Sequence, residues 1–66
     1  MDIQLNGEPK QIIEQATVQD LLADLGLTQK RLAVEVNQEI VPRSQFEQHI
    51  LNPNDKVEIV HAIGGG

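Results

Sequence analysis

Apolar residues change their spacing along the chain, and each change marks a predicted element. Met1, Ile3 and Leu5 alternate with Asp2 and Gln4, the period of a half-buried strand. Asn6-Gly7 follows, a pair that accepts the positive φ values of a type I′ hairpin turn, so the chain is predicted to return over about Glu8 to Ile13. A two-residue loop sets Ile12 opposite Met1 but Lys10 opposite Ile3. A three-residue loop aligns Ile13 with Met1 and Gln11 with Ile3, and the pattern leaves both registers open. Pro9 has no amide to donate, which places part of this strand at a sheet edge.

The period then lengthens. Val18, Leu21, Leu22 and Leu25 fall at i, i+3, i+4 and i+7, a single apolar stripe on a helix opening at Thr17. Thr17-Val18-Gln19-Asp20 resembles a capping box, with the hydroxyl serving the first-turn amides and Asp20 favoured by the helix dipole. Gly26 can take the left-handed conformation that closes a helix and folds Leu27 back towards Leu22.

Strict alternation returns at Leu32, Val34 and Val36, a third strand after the polar connector Thr28 to Arg31. Asn37-Gln38 turns into a brief fourth strand, Glu39 to Val41, stopped by Pro42. Ser44 to Leu51 is predicted as a turn of helix with Phe46 and Ile50 as its buried contacts, and Asn52-Pro53-Asn54-Asp55 is dense in turn formers. Lys56 to Ile63 is the last strand, with Val57, Ile59, His61 and Ile63 on one face and Glu58, Val60 and Ala62 on the other. A right-handed crossover through the helix sets the first and last strands side by side and parallel. The expected fold is α+β: a mixed sheet of four to five strands with one main helix across one face, a β-grasp architecture. Residues 1–63 form its one domain and residues 64–66 a flexible C-terminal glycine tail.

Composition narrows the function. With 66 residues and 39% hydrophobic content, the chain can build one modest core and little wall for a deep pocket, which argues against a self-contained enzyme. There is no cysteine, so neither disulfides nor thiolate metal sites contribute. Ten acids against five bases give a net charge of −5, and Phe46 is the sole aromatic, which excludes a nucleic-acid surface and favours a protein partner with basic or mixed charge. No apolar run reaches the length of a bilayer span and no signal-type segment opens the sequence, so the cytoplasm is the expected address.

Gly64-Gly65-Gly66 is the stretch with the clearest chemical meaning. Glycines bury nothing and cost backbone entropy to order, so the triplet is expected to be a thin thread offering the α-carboxylate of Gly66 to an enzyme with a narrow entrance. Lacking Cβ, the thread can lie close to enclosing walls. Passive terminal residues are the plain alternative.

Three features together resemble the ThiS family, the ubiquitin-like sulfur carriers of thiamine biosynthesis. They are the short length with a Gly65-Gly66 end, the hairpin at Asn6 followed by Thr17-Val18 and Leu21-Leu22, and the run Asn37-Gln38-Glu39-Ile40-Val41-Pro42-Arg43-Ser44-Gln45-Phe46. The resemblance implies a protein co-substrate rather than an enzyme, with no bound cofactor. An adenylating enzyme of ThiF type would activate Gly66 with ATP and magnesium. A persulfide donor would convert it to a thiocarboxylate, and thiazole synthase of ThiG type would receive the sulfur. A molybdopterin-synthase small subunit and a ubiquitin-like modifier share the Gly-Gly end and stay open as alternatives.

Other residues carry two readings each. Val60 and Ala62 are either ordinary exposed strand residues or an apolar docking patch beside the tail. Arg43 is either solvated or locally paired, or it contacts a partner. Phe46 reads as core. His49 and His61 lack helical spacing or a cysteine companion, which argues against a metal site, and Ser44 has no His and acid arrangement to activate it.

Overall fold

The computed structural model describes residues 1–61, so the expectations for Ala62, Ile63 and Gly64 to Gly66 lie outside the described residues. The elements run β1 (Asp2–Leu5), β2 (Glu8–Gln11), α1 (Val18–Asp24), β3 (Leu32–Val36), β4 (Glu39–Val41), a 3₁₀ turn at Arg43–Gln45, and β5 (Lys56–His61). They form a five-stranded sheet in the order β2-β1-β5-β3-β4. β1 and β5 are parallel and every other neighbouring pair is antiparallel, as the crossover through α1 requires.

The first hairpin resolves the register that alternation left open. Ile3 stands opposite Lys10 and Asp2 opposite Gln11, and the Ile12 amide donates to the Met1 carbonyl at 2.9 Å. This is the two-residue loop, with Asn6 at φ 50° and Gly7 at φ 84° supplying the left-handed pair that the turn demands. Pro9 sits on β2, an outer strand of the sheet, where its missing amide leaves no ladder bond unmade.

α1 begins and ends as its sequence dictates. Thr17 Oγ1 accepts from the Asp20 amide at 3.1 Å, and Asp20 Oδ2 accepts from the Thr17 amide at 3.0 Å, so Asp takes the place usually held by Glu or Gln in a capping box. At the other end Gly26 has φ 73°, the Gly26 amide donates to the Ala23 carbonyl and the Leu27 amide to the Leu22 carbonyl. That bonding pattern is a Schellman closure, and it returns Leu27 to the core's edge. The helix lays Val18, Leu21 and Leu22 onto one face of the sheet, against Ile3, Val34, Val36, Val57 and Ile59.

The segment before β5 departs from its predicted form in one respect. Phe46 is buried as expected, but Ile50 is 53% exposed and Leu51, at 1%, takes the core position instead. The reason is backbone direction. The 3₁₀ turn continues as a turn through Phe46 to Gln48, closed by the Gln48 and His49 amides on the Gln45 carbonyl. From His49 the chain runs extended beside the start of α1. The Val18 amide donates to the His49 carbonyl, and the Leu51 amide donates to the Ala16 carbonyl. Ile50 makes a bridge with Thr17, so alternation rather than a helical period decides which side chain points inward.

The contrast is measurable by urea denaturation. Leu51→Ala is expected to cost about 2–5 kcal/mol as a buried large-to-small change, whereas Ile50→Ala should cost under about 1 kcal/mol. Equal losses would place both side chains in the core.

Candidate functional site: β5 and the open face of the sheet

Ala33, Glu35, Ile40, Glu58 and Val60 are left out of the core by the same alternation that buries their neighbours. Across β4, β3 and β5 the register is explicit on the side away from α1. Ile40 stands opposite Glu35 and Glu35 opposite Glu58, while Ala33 stands opposite Val60 in the next rung. Ile40 is 67% exposed and Val60 56%, two of the largest apolar exposures in the described residues. Branched apolar groups thus border a pair of carboxylates placed directly opposite each other. Like charges in that relation are mildly destabilising. Neither Glu35 nor Glu58 has an ion-pair partner among the described residues, whose salt bridges are Lys10 to Asp24 and the chain's first amino group to Glu14.

β5 is the element that leads from this sheet towards Gly66, and it is held from both flanks. Its ladder with β3 runs from Val36 opposite Val57 to Leu32 opposite His61. On the other flank β1 pairs only through Gln4 with Lys56 and Leu5 with Val57 before turning away. Two asparagines, one from each hairpin turn, complete the bonding. Asn37 Oδ1 accepts from the Lys56 amide at 2.9 Å, and Asn37 Nδ2 donates to Asp55 Oδ1 at 3.0 Å. Asp55 Oδ2 also accepts from the Asn52 amide at 2.8 Å, so this carboxylate, the buried acid of the described residues, is satisfied at both oxygens. At the far end Asn6 Oδ1 accepts from the Ile59 amide at 2.8 Å.

The predicted site residues fall into separate groups. Val60 lies on the open face as expected, while Ala62, Gly64, Gly65 and Gly66 lie outside the described residues. Arg43 is not beside Val60 in the sheet register; it is exposed in the 3₁₀ turn and its Nη2 donates to the Lys30 carbonyl at 3.3 Å. Ile40 was not singled out from the sequence, although its alternation with buried Val41 in a short outer strand is the signal that places it. The side-chain bonds of Asn6 and Asn37 were also missed. Both sit at the first position of a tight turn, where asparagine is read for its tolerance of positive φ and its amide is overlooked.

A second surface feature is an open groove of about 670 Å³ between the end of β2 and α1, with Ile12, Ile13, Ala16 and Leu21 along it. Its acids are engaged locally: Asp20 caps the helix and Asp24 pairs with Lys10 at 3.1 Å. No cluster of three or more His, Asp or Glu side chains suited to a metal occurs among the described residues, and no helix among them is long and apolar enough to cross a membrane.

The chain matches the ThiS family model over residues 3–66. It is 38% identical over 66 residues to the sulfur carrier protein ThiS of Escherichia coli, covering 100% of both chains. It is 46% identical to a thiazole synthase of Paramagnetospirillum magneticum over 100% of its own length, but spans only 20% of that protein. The crystal structure of a thiamine biosynthesis protein (ThiS) from Geobacter metallireducens superposes with a TM-score of 0.86 at 32% identity, covering 100% of each chain.

Because the open face carries no core residue, Val60→Asp should keep stability within about 0.5 kcal/mol of the parent in urea denaturation. Ile59→Asp, one residue away but facing α1, should fail to fold at all, since it buries an unpaired charge. Similar behaviour of the two variants would contradict the assignment of faces.

Proposed function

The chain belongs to the ThiS family, and on that premise we propose that it carries sulfur for thiamine biosynthesis, with Gly66 as the residue that is modified. What supports the reading above all is the match over the whole length of a curated sulfur carrier. The β-grasp sheet adds a physical reason, because β5 is flanked on both sides and only Ala62 and Ile63 separate it from the glycines in the sequence.

A carboxylate resists nucleophiles because it is anionic and its oxygen is a poor leaving group. Transfer of AMP from ATP to the Gly66 carboxylate, in an adenylating partner that binds magnesium, expels pyrophosphate and makes an acyl-adenylate. The terminal sulfur of a persulfide attacks that carbonyl and AMP departs. Cleavage of the remaining S–S bond by a thiol reductant leaves the thiocarboxylate. Its sulfur is a better nucleophile at neutral pH than the original oxygen, and thiazole synthase is the proposed acceptor. A relative named thiazole synthase contains a segment alignable with this entire chain, which supports that pairing. The chain itself acts as co-substrate, not catalyst, and works in the cytoplasm.

The adenylating partner is proposed to dock on the open face through Val60 and Ala62, with Ile40 extending the patch and Arg43 contributing at its periphery. Glu35 and Glu58 select a partner that presents a cationic side chain between apolar contacts, since a cation there relieves their mutual repulsion.

The test is the intact mass of the chain after incubation with ATP, an adenylating partner and a persulfide donor. One sulfur gained for one oxygen is the expected result, lost on deletion of Gly66 while the melting temperature stays unchanged. A ladder of conjugates would point to a protein modifier, and an unaltered mass to a passive module. Val60→Asp should weaken calorimetric binding to the adenylating enzyme by at least about tenfold, as expected for a buried apolar contact replaced by a charge; undiminished binding rejects the docking surface.

A further inference from the structure

We infer that Asn6 is a positioning residue, whose side-chain amide replaces a missing rung of the β1–β5 ladder and sets the direction in which β5 leaves the sheet. Its kinetic consequence rests on the sulfur-carrier reading; its structural part rests on geometry alone.

The parallel ladder between β1 and β5 is built from the Gln4 amide donating to the Asp55 carbonyl and the Asn6 amide donating to the Val57 carbonyl, each at 2.9 Å. The next backbone groups of β5 on that flank belong to Ile59. No strand can meet them there, because the left-handed turn at Asn6-Gly7 carries the chain away into β2. The Asn6 side chain takes the strand's place. Its Oδ1 accepts from the Ile59 amide at 2.8 Å, and its Nδ2 reaches the Ile59 carbonyl at 3.5 Å, across 53 positions of sequence. A primary amide is a planar donor–acceptor pair like a peptide group, so it can serve both of these neighbours.

Residue type matters at this position. Glycine would make the turn and leave both Ile59 groups without a protein partner. Aspartate would accept from the amide but could not donate to the carbonyl. Without the rung, β5 beyond Val57 would be tied only on its β3 flank, where Glu58, Ile59, Val60 and His61 stand opposite Glu35, Val34, Ala33 and Leu32. The chain from His61 to Gly66 would then start from a less constrained point. The open face that carries Val60 and Ile40 is built by β3, β4 and β5 pairing and does not include Asn6. Docking and delivery of the chain end are therefore separable.

The experiment compares wild type with Asn6→Gly and Asn6→Asp. Glycine accepts a φ of 50° without strain, so the hairpin is retained. In Asn6→Gly, amide hydrogen exchange at Ile59 should accelerate at least about tenfold, as for a locally opened bond. The kcat for thiocarboxylate formation should fall roughly tenfold with KM unchanged, the signature of a bound but misplaced reacting group. Asn6→Asp should recover most of both. An Asn6→Gly chain with wild-type kcat, a rise in KM alone, or an Asn6→Asp chain as impaired as the glycine variant would each overturn the role. Wild type run alongside separates the two readings: no sulfur gained by wild type removes the carrier assignment, while an active wild type matched by Asn6→Gly removes only the positioning role.

Discussion

A strand in the middle of a sheet needs a hydrogen-bonding neighbour on each flank, and neither neighbour of β5 spans all of it. β3 accompanies it from Val57 to His61, whereas β1 pairs at Gln4 and Leu5 and then turns back. Buried amides without partners cost free energy that a domain of this size cannot easily offset. The solution is local to the two hairpin turns. Asn37 serves Lys56 on the β3 flank and Asn6 serves Ile59 on the β1 flank, each lending a side-chain amide where the neighbouring strand turns away. The turns that reverse the chain therefore also anchor the strand that runs between them.

That arrangement assigns work to the two faces of the sheet. α1 covers one face, and its stripe of Val18, Leu21 and Leu22 closes the core with Ile3, Val34, Val57 and Ile59. The capping box at Thr17 and the Schellman closure at Gly26 fix where the helix begins and ends, so the stripe meets the sheet in one register. Leu51 and Phe46 seal the end of this core from a segment that bonds to α1's first turn. Among the described residues the opposite face supplies no buried side chain to the core. Its composition is free to answer to something outside it.

Where a side chain's period is set by its own element, it was legible in the sequence. β1, α1, β3 and the parallel β1–β5 arrangement all followed from alternation, caps and crossover handedness. What escaped prediction depended on neighbours distant along the chain. The exposure of Ile50 was hidden because the segment's extended path is imposed by bonds to Ala16 and Val18, not by its own residues. The register of β2 needed the turn's dihedral angles, which Asn6-Gly7 permits but alternation alone does not select. The amide of Asn6 was illegible for the same reason, since its partner lies at Ile59. Of the candidate site, Val60 was placed by simple alternation, whereas Ile40 joined it only once the β3–β4 register was known.

The pair Glu35 and Glu58 ties these points to function. Two carboxylates directly opposite on adjacent strands repel by about 0.2–1 kcal/mol, and nothing in the described fold compensates them. An alternating strand needs a polar residue at each of these positions, but not the same charge at both. Threonine or a lysine opposite glutamate would serve the isolated domain better. The arrangement makes physical sense for a surface completed by another molecule, where a guanidinium or ammonium group removes the repulsion while Ile40 and Val60 lose water. On the carrier reading, such a contact also has to be reversible, because the same chain must leave one enzyme to reach the next. A small apolar patch with acidic neighbours suits that need: steering by charge speeds arrival, and the limited apolar area keeps the residence time short.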